Sequence, residues 1–311
     1  MKQKSQQPRT TTMATTTGTI PGPAPAMKSV WSDLPRRLGT ICIGFPLVWI
    51  MLSRPLLARL FFMGAHAISL WEFTLLEPFP TKSRQEETSK TLESMFRLLY
   101  CLVSVLVMTF TVEQDGFFWF LLSFSAGTLA WLERQHWILG MLVVTLPFRA
   151  WLGLAPNDFA STISILLVVW NCDTGALLLG RICHKLGFSR LPVPAWILQI
   201  SPAKSMEGFL GGILGGVWTA MSWIPILVDK ASLETSPAFE ALWETPSSRF
   251  RLGMTLSLLA IIGDLVESSI KRQSQAKDSG SFLPGHGGIL DRFDSSLLAV
   301  LFYCHLLTVN A

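Results

Sequence analysis

Residues 263–295 read GDLVESSIKRQSQAKDSGSFLPGHGGILDRFDS and lie between two strongly apolar stretches. This segment carries charged side chains at helical spacing, then a glycine-rich turn, then two carboxylates on either side of an arginine. A loop that only joined two membrane helices would need to be soluble and nothing more. The segment therefore predicts a functional site, and the rest of the chain is interpreted around it.

The composition is that of an integral membrane protein. Of the 311 residues, 50% are hydrophobic and 15% are charged, and the mean hydropathy is +0.43. A soluble domain would carry about 25% charged residues. Apolar runs near the length of a bilayer recur along the chain, and the alternating pattern of a membrane β-barrel is absent from the sequence. We therefore expect an all-α, polytopic integral membrane protein.

Nine apolar runs are predicted to be transmembrane helices. They are 38–53, 56–76, 95–112, 116–132, 137–154, 159–180, 209–228, 252–270 and 290–309. If the N-terminus lies in the cytosol, the two long basic loops, 181–208 and 271–289, also lie in the cytosol, as the positive-inside rule requires. The sequence then predicts a polar cavity that opens on the cytosolic face.

The chain divides into three parts by composition. Residues 1–30 are basic, rich in threonine and proline, and free of acids, which is typical of either a disordered tail or an organelle-targeting segment. Residues 31–155 would form the N-terminal transmembrane helices, and residues 156–311 would form the transmembrane region that carries the site. No basic patch interleaved with aromatic residues is present, so nucleic acid is not an expected partner.

Asp264, Ser268 and Lys271 are spaced by four and then three residues, which places them on one face of a helix. An ionisable group in a membrane span usually faces water, a partner charge or a metal ion. Two interpretations remain open at this point. The three residues either line a functional cavity or form an internal Asp264–Lys271 ion pair that only holds helices together.

The glycine-rich turn and its flanks carry the groups expected at a phosphate site. Glycines let the backbone approach a phosphate closely, carboxylates near phosphates suit Mg²⁺, and basic side chains neutralise the charge that develops in phosphoryl or nucleotidyl transfer. His286 is equally consistent with a structural turn residue, a general base or a phosphate hydrogen-bond donor. The polar residues are Lys277, Asp278, His286, Asp291, Arg292 and Asp294.

Two further polar clusters precede this segment. Asp173 lies near the end of an apolar run, in the sequence NCDTG. The sequence SPAKSMEG begins at Ser201 and directly precedes another apolar run. Ser205 there is a good helix N-cap, and Lys204 beside a helix N-terminus is a good anion site.

Together these motifs resemble the phosphatidate cytidylyltransferase (CDP-diacylglycerol synthase) family. The family signature is Ser, two residues, Lys-Arg, then Lys-Asp, then His-Gly-Gly, and finally Asp-Arg-x-Asp. Residues of this chain that match it are Ser268, Lys271, Arg272, Lys277, Asp278, Gly280, His286, Gly287, Gly288, Asp291, Arg292 and Asp294. Gly263-Asp264, Asp173-Thr-Gly-Ala, SPAKSMEG and Trp71-Glu72 are similar to other family elements. The chain departs from the family pattern at Ala203, Met206 and Leu177, which stand where the family has Lys, Trp and Tyr.

The resemblance implies an enzyme that transfers CMP from CTP to phosphatidic acid, giving CDP-diacylglycerol and pyrophosphate, with two Mg²⁺ ions and a homodimeric assembly. Asp264 and Asp291 would bind metal, with Asp278 and Asp294 as further ligands. The residues expected to act on the phosphates are Lys271, Arg272, Lys277, His286 and Arg292. The residues expected to bind substrate are Asp173, Ser201, Lys204, Ser205, Glu207, Ser268, Gly287 and Gly288.

Rival functions remain open from the sequence. A CTP-dependent lipid kinase of the polyprenol or phytol type would use the same cofactor and region. A proton-coupled transporter would use Asp173 and Asp264 as relay acids, and an inactive scaffold would tolerate the departures in SPAKSMEG. The endoplasmic reticulum, a plastid envelope and a bacterial inner membrane would all accept this chain.

Overall fold

The computed structural model describes residues 44–76, 101, 104, 140–187, 191–280, 282 and 287–310. These residues belong to one compact unit, Ile43–Ala311. Its described part is built of helices and the turns that join them. The predicted tail, 1–30, lies outside the described residues.

The helices follow the apolar runs of the sequence. They are α1 (44–52), α2 (Pro55–Leu75), α3 (Leu146–Leu154), α4 (Phe159–Lys185), α5 (Ala195–Ile200), α6 (Met206–Trp218), α7 (Ile224–Lys230), α8 (Pro237–Trp243), α9 (Pro246–Gln273) and α10 (Leu290–Asn310). A π-helical turn, Met141–Thr145, leads into α3, and another, Thr219–Trp223, joins α6 to α7. Proline stands in the first turn of α2, α8 and α9, where its missing N–H costs no hydrogen bond.

Five of these elements are long and apolar enough to cross a membrane: α2, α4, the continuous segment Met206–Lys230, α9 and α10. They confirm five of the nine predicted spans, and the protein is a multi-pass integral membrane protein. Predicted spans 95–112 and 116–132 lie outside the described residues except for Cys101 and Ser104. Spans 38–53 and 137–154 are described only in part, the latter by the shorter apolar helix Val143–Leu154.

Glycines bring α4 and α6 into backbone contact. A Cβ atom added at Gly175 would meet the carbonyl oxygen of Gly211, and one added at Gly215 would meet that of Asn171. Small residues permit this approach in membrane helices, where packing and not water exclusion drives association. The glycine-rich sequence GFLGGILGG, residues 208–216, thus allows α6 to pack closely on α4.

A polar network lies where the start of α4 packs near α8 and the later part of α10. The hydroxyl of Tyr303 on α10 receives a hydrogen bond from Trp243 Nε1 at 2.8 Å and lies 3.0 Å from Ser161 Oγ. Asp158 caps α4 through the Ser161 N–H at 2.8 Å and also accepts a hydrogen bond from Ser236 Oγ. The polar groups at the other ends of α4, α9 and α10 form a separate group.

Candidate active site

Three helices each contribute a carboxylate to one place in the bundle. Asp173 lies on α4, Asp264 on α9 and Asp294 on α10. The hydroxyl of Ser295 lies 3.1 and 3.3 Å from the two carboxylate oxygens of Asp173 and 3.1 Å from Asp294 Oδ1. Asp264 joins them because Gly263, the residue before it, packs against the carbonyl oxygen of Asp294. The structure thus brings together three acids that lie on three helices and far apart in the sequence.

Lys204 is the basic partner of this cluster. Its Nζ atom lies 2.6 Å from Asp264 Oδ2, and Ser268 Oγ donates to Asp264 Oδ1 at 3.2 Å. The predicted shared face of Asp264 and Ser268 is therefore confirmed. The alternative of an internal Asp264–Lys271 ion pair is wrong, because Asp264 pairs with a lysine from another segment.

Lys271 lies instead between two other carboxylates. Its Nζ atom forms ion pairs with Glu267, one helical turn earlier, and with Asp291 Oδ1 at 2.8 Å. Glu267 is 2% exposed and Lys271 is 8% exposed. Buried charges of this kind are tolerated only when they are paired, so this triad fixes the end of α9 against the start of α10.

Asp291 also binds the described part of the α9–α10 loop, which is residues 274–280, 282 and 287–289. It accepts hydrogen bonds from the Ser279 N–H at 3.1 Å and the Gly288 N–H at 2.8 Å. Gly287 has a φ of +80°, in the left-handed region that favours glycine. Asp291 and Asp294 therefore have separate partners. Asp291 binds the loop and Lys271, whereas Asp294 belongs to the Ser295 cluster, which is Ser295 with Asp173, Asp264 and Asp294.

The SPAKSMEG segment enters the site at the start of α6. Ser205 Oγ accepts the Gly208 N–H at 3.1 Å, which confirms the N-cap interpretation. Glu207 Oε1 accepts the Leu191 N–H at 2.6 Å, and the Lys204 N–H donates to the Ser201 carbonyl at 3.2 Å. These contacts set the backbone from which Lys204 reaches Asp264.

The remaining predicted residues lie around the loop. Arg272 donates to the carbonyl oxygens of Ile200 at 2.9 Å and Ala276 at 3.0 Å, which ties the end of α9 to the end of α5. Lys277 and Asp278 are exposed in the loop, and Arg292 is exposed in the first turn of α10. His286 lies outside the described residues.

Sequence reasoning missed Ser295 and Ser279. The Ser295 hydroxyl lies within hydrogen-bond distance of both Asp173 and Asp294. Ser279 is 4% exposed, and its N–H donates to the Asp291 carboxylate. Neither residue stands out by spacing, and the only available signal was that each directly follows a signature aspartate. Both residues contact segments that are distant in the sequence, and local sequence patterns do not predict such contacts.

Asp173, Asp264 and Asp294 outnumber Lys204, which is the base that forms an ion pair with this cluster among the described residues. Among the described residues, no three His, Cys, Asp or Glu side chains are arranged closely enough to hold a metal ion alone. The cluster thus has the oxygen donors that a hard cation prefers and would need further oxygen ligands to complete its coordination.

The fold and the site together define a class of protein. It is a multi-pass membrane protein in which acids and lysines gather near the ends of the spans. A sequence model of the cytidylyltransferase family matches residues 34–310, and the chain belongs to that family.

Individual relatives match over shorter segments. The chain is 38% identical over 146 residues to a phosphatidate cytidylyltransferase of Bacillus subtilis, which is 46% of this chain and 45% of that protein. It is 41% identical over 138 residues to a phosphatidate cytidylyltransferase of Staphylococcus aureus, covering 43% of this chain and 44% of that protein. The matched part thus spans somewhat less than half the length of these curated relatives.

Proposed function

We propose that this protein transfers CMP from CTP to phosphatidic acid, giving CDP-diacylglycerol and pyrophosphate for phospholipid biosynthesis. The contact between Lys204 and Asp264 carries the proposal, because it joins the SPAKSMEG segment to the helix of the C-terminal signature. Membership of the cytidylyltransferase family and the names of the relatives support the same reaction.

The reaction asks for positioning and charge neutralisation. A phosphate oxygen of phosphatidic acid forms a bond to the α-phosphorus of CTP, and the bond from that phosphorus to the oxygen bridging to the β-phosphate breaks. Pyrophosphate leaves with the electron pair. The attacking oxygen is already an anion, so no strong general base is required, and holding two anionic reactants in line is the main task.

Mg²⁺, as two ions, is the proposed cofactor. The excess of carboxylates over Lys204 favours Asp264 and Asp294 as its ligands, with Asp173 beside them. Asp291 stays a predicted ligand as well; here it accepts hydrogen bonds from Lys271 and two backbone N–H groups. When bound, Mg²⁺ would neutralise phosphate oxygens, and those oxygens would supply the ligands that the protein lacks.

We assign the phosphate contacts to the residues around the α9–α10 loop. Lys277 and Arg292 are exposed there, and the turn at Gly287 lets the backbone approach a phosphate. In the proposed nine-span topology this loop faces the cytosol, where CTP is dissolved, and the cavity opens at the membrane surface, where the lipid phosphate lies. The predicted homodimer would be tested by the mass of the protein in detergent.

Labelled CTP tests the reaction and separates it from its rivals. The purified protein in detergent, with Mg²⁺ and phosphatidic acid, should move label from the α-phosphate of CTP into chloroform-soluble lipid and release pyrophosphate. A lipid kinase would instead move label from the γ-phosphate to a lipid alcohol. A proton-coupled transporter would show flux in liposomes without CTP. Absence of α-label in lipid from wild-type protein would refute the proposal.

The metal assignment has its own test. Asp264→Asn should lower the Mg²⁺-dependent rate by about 100-fold or more, since it removes both a proposed ligand and the partner of Lys204. A variant with the full wild-type rate and the same Mg²⁺ dependence would eliminate Asp264 as a ligand.

A further inference from the structure

Glu72 lies in the last turn of α2 and is buried, with 3% of its surface exposed. Its carboxylate accepts hydrogen bonds from the N–H groups of Ile289 at 3.1 Å and Leu290 at 2.9 Å, and from Ser279 Oγ at 3.3 Å. All three donors belong to the α9–α10 loop or to the first residue of α10. A side chain from the N-terminal half of the chain therefore binds the signature segment directly.

The backbone donors explain why a carboxylate is needed there. The first N–H groups of a helix have no partner within the helix, and a negative charge near them is stabilised by the helix dipole. The N–H of Leu290, at the start of α10, finds its acceptor in Glu72. Asp291 holds the N–H groups of Ser279 and Gly288 from within α10. The loop is thus held by two carboxylates, one local and one from α2.

Two glycines show how closely the loop packs on Glu72. A Cβ atom added at Gly280 or at Gly288 would collide with the Glu72 carboxylate. Gly280 is a signature position, and Gly288 is the second glycine of the His-Gly-Gly motif. Because glycine has no side chain, both positions leave space for the Glu72 carboxylate to reach the loop backbone.

We propose that Glu72 is a positioning residue that fixes the α9–α10 loop in the conformation that binds the phosphates of CTP. The proposal rests on the proposed cytidylyltransferase activity and adds a residue of α2 to the groups on which that activity depends. Glu72 acts through the loop and contacts neither the Ser295 cluster nor Lys204. Loss of its hydrogen bonds should therefore weaken the interaction with CTP more than that with phosphatidic acid.

Hydrogen exchange and steady-state kinetics test this together. Glu72→Gln keeps the shape of the side chain but points an amide N–H₂ group at hydrogen-bond donors. Backbone amides of residues 287–290 should exchange about tenfold faster in detergent, since hydrogen bonds to a charged acceptor are lost. The KM for CTP should rise by about fivefold or more while the KM for phosphatidic acid changes by less than about twofold.

Thr74→Val is the matched control. Thr74 is buried two residues further along, and its hydroxyl donates only to the Trp71 carbonyl at 2.7 Å. Its exchange pattern and KM values should stay at wild-type levels. Ser279→Ala provides a second variant that leaves α2 intact, and it should produce a smaller change of the same kind because it removes one of the three donors.

The outcomes are distinguishable. Unchanged exchange at residues 287–290 in Glu72→Gln and Ser279→Ala would overturn the role of Glu72. Faster exchange with a CTP KM within twofold of wild type would also overturn it. Failure of wild-type protein to transfer CMP would refute the proposed function, and the exchange data would still show whether Glu72 holds the loop.

Discussion

The ammonium of Lys204 lies 2.6 Å from the carboxylate of Asp264, and the two residues are 60 positions apart. Lys204 belongs to the segment before α6, and Asp264 lies within α9. The contact places the only lysine of SPAKSMEG beside the acids of the C-terminal signature. It also means that the departures at Ala203 and Met206 leave the charge pairing of this segment intact.

Removing the charge of Lys204 should strongly impair the reaction. Lys204→Met leaves Asp264 without its partner, close to Asp173 and Asp294, so we expect the rate of CMP transfer to fall about 100-fold. Lys204→Arg should retain part of the rate because it keeps the charge. Lys230→Met is the control, since Lys230 lies at the other end of Met206–Lys230 with 80% of its side chain exposed. Equal rates for the two methionine variants would contradict the assignment of Lys204 to the site.

Ser295 and Ser296 are adjacent, but the structure predicts that only Ser295 contributes to the reaction. Ser295→Ala removes the hydroxyl shared by Asp173 and Asp294, and we expect about a tenfold fall in rate because two nearby carboxylates lose their donor. Ser296→Ala should have little effect on the rate, because its hydroxyl donates to the Phe293 carbonyl within α10. Both variants are assayed for CMP transfer at fixed Mg²⁺. A larger loss in Ser296→Ala would contradict the bridging role of Ser295.

Two glycine substitutions should have opposite effects on stability. Gly211→Ala would push a methyl group into the backbone of α4 at Gly175, so we expect a loss of about 2 kcal/mol in the free energy of unfolding. Gly64 is exposed on α2 with open space around it, so Gly64→Ala should stabilise the protein by up to about 1 kcal/mol. Thermal unfolding in detergent measures both changes. A stabilising Gly211→Ala would show that α4 and α6 do not pack as described.

The buried triad predicts a charge-specific loss of stability. Lys271→Met leaves Glu267 and Asp291 buried without their common partner, and breaking such a pair costs about 3–5 kcal/mol. Adding Glu267→Gln should recover part of the loss, because one of the two unpaired charges is then removed. Unfolding in detergent tests this as a double-mutant cycle. Additive losses in the cycle would rule out the Glu267–Lys271 contact.

Much of the fold followed from local patterns. The five described spans were predicted because a bilayer requires about 20 apolar residues in succession, and that requirement is visible in the sequence. Their ends were less well predicted: α4 continues to Lys185 and α9 to Gln273, since helices persist through polar residues once they leave the apolar region. The Asp264–Ser268 contact was predicted because an (i, i+4) spacing brings side chains together on any helix.

The partners of charged residues could not be predicted in the same way. Lys271 has acids at several helical spacings, and spacing alone left Asp264 open as its partner. The structure pairs it with Glu267 and Asp291 because α10 approaches that side of α9. Glu72 was visible as part of a Trp-Glu pair, but its acceptor role depends on the position of the α9–α10 loop, which is more than 200 residues away along the chain.

The sequence by itself determined that this is a helical membrane protein and which segment is predicted to carry the phosphate chemistry, because hydropathy, glycine content and charge spacing are local properties. Only the tertiary structure decided which acids share a donor, which lysine neutralises them and which carboxylates hold the loop. Those choices depend on the distances between helices. Glycine contacts such as those of Gly175 with Gly211, and of Gly263 with the carbonyl oxygen of Asp294, set these distances between segments far apart in the chain.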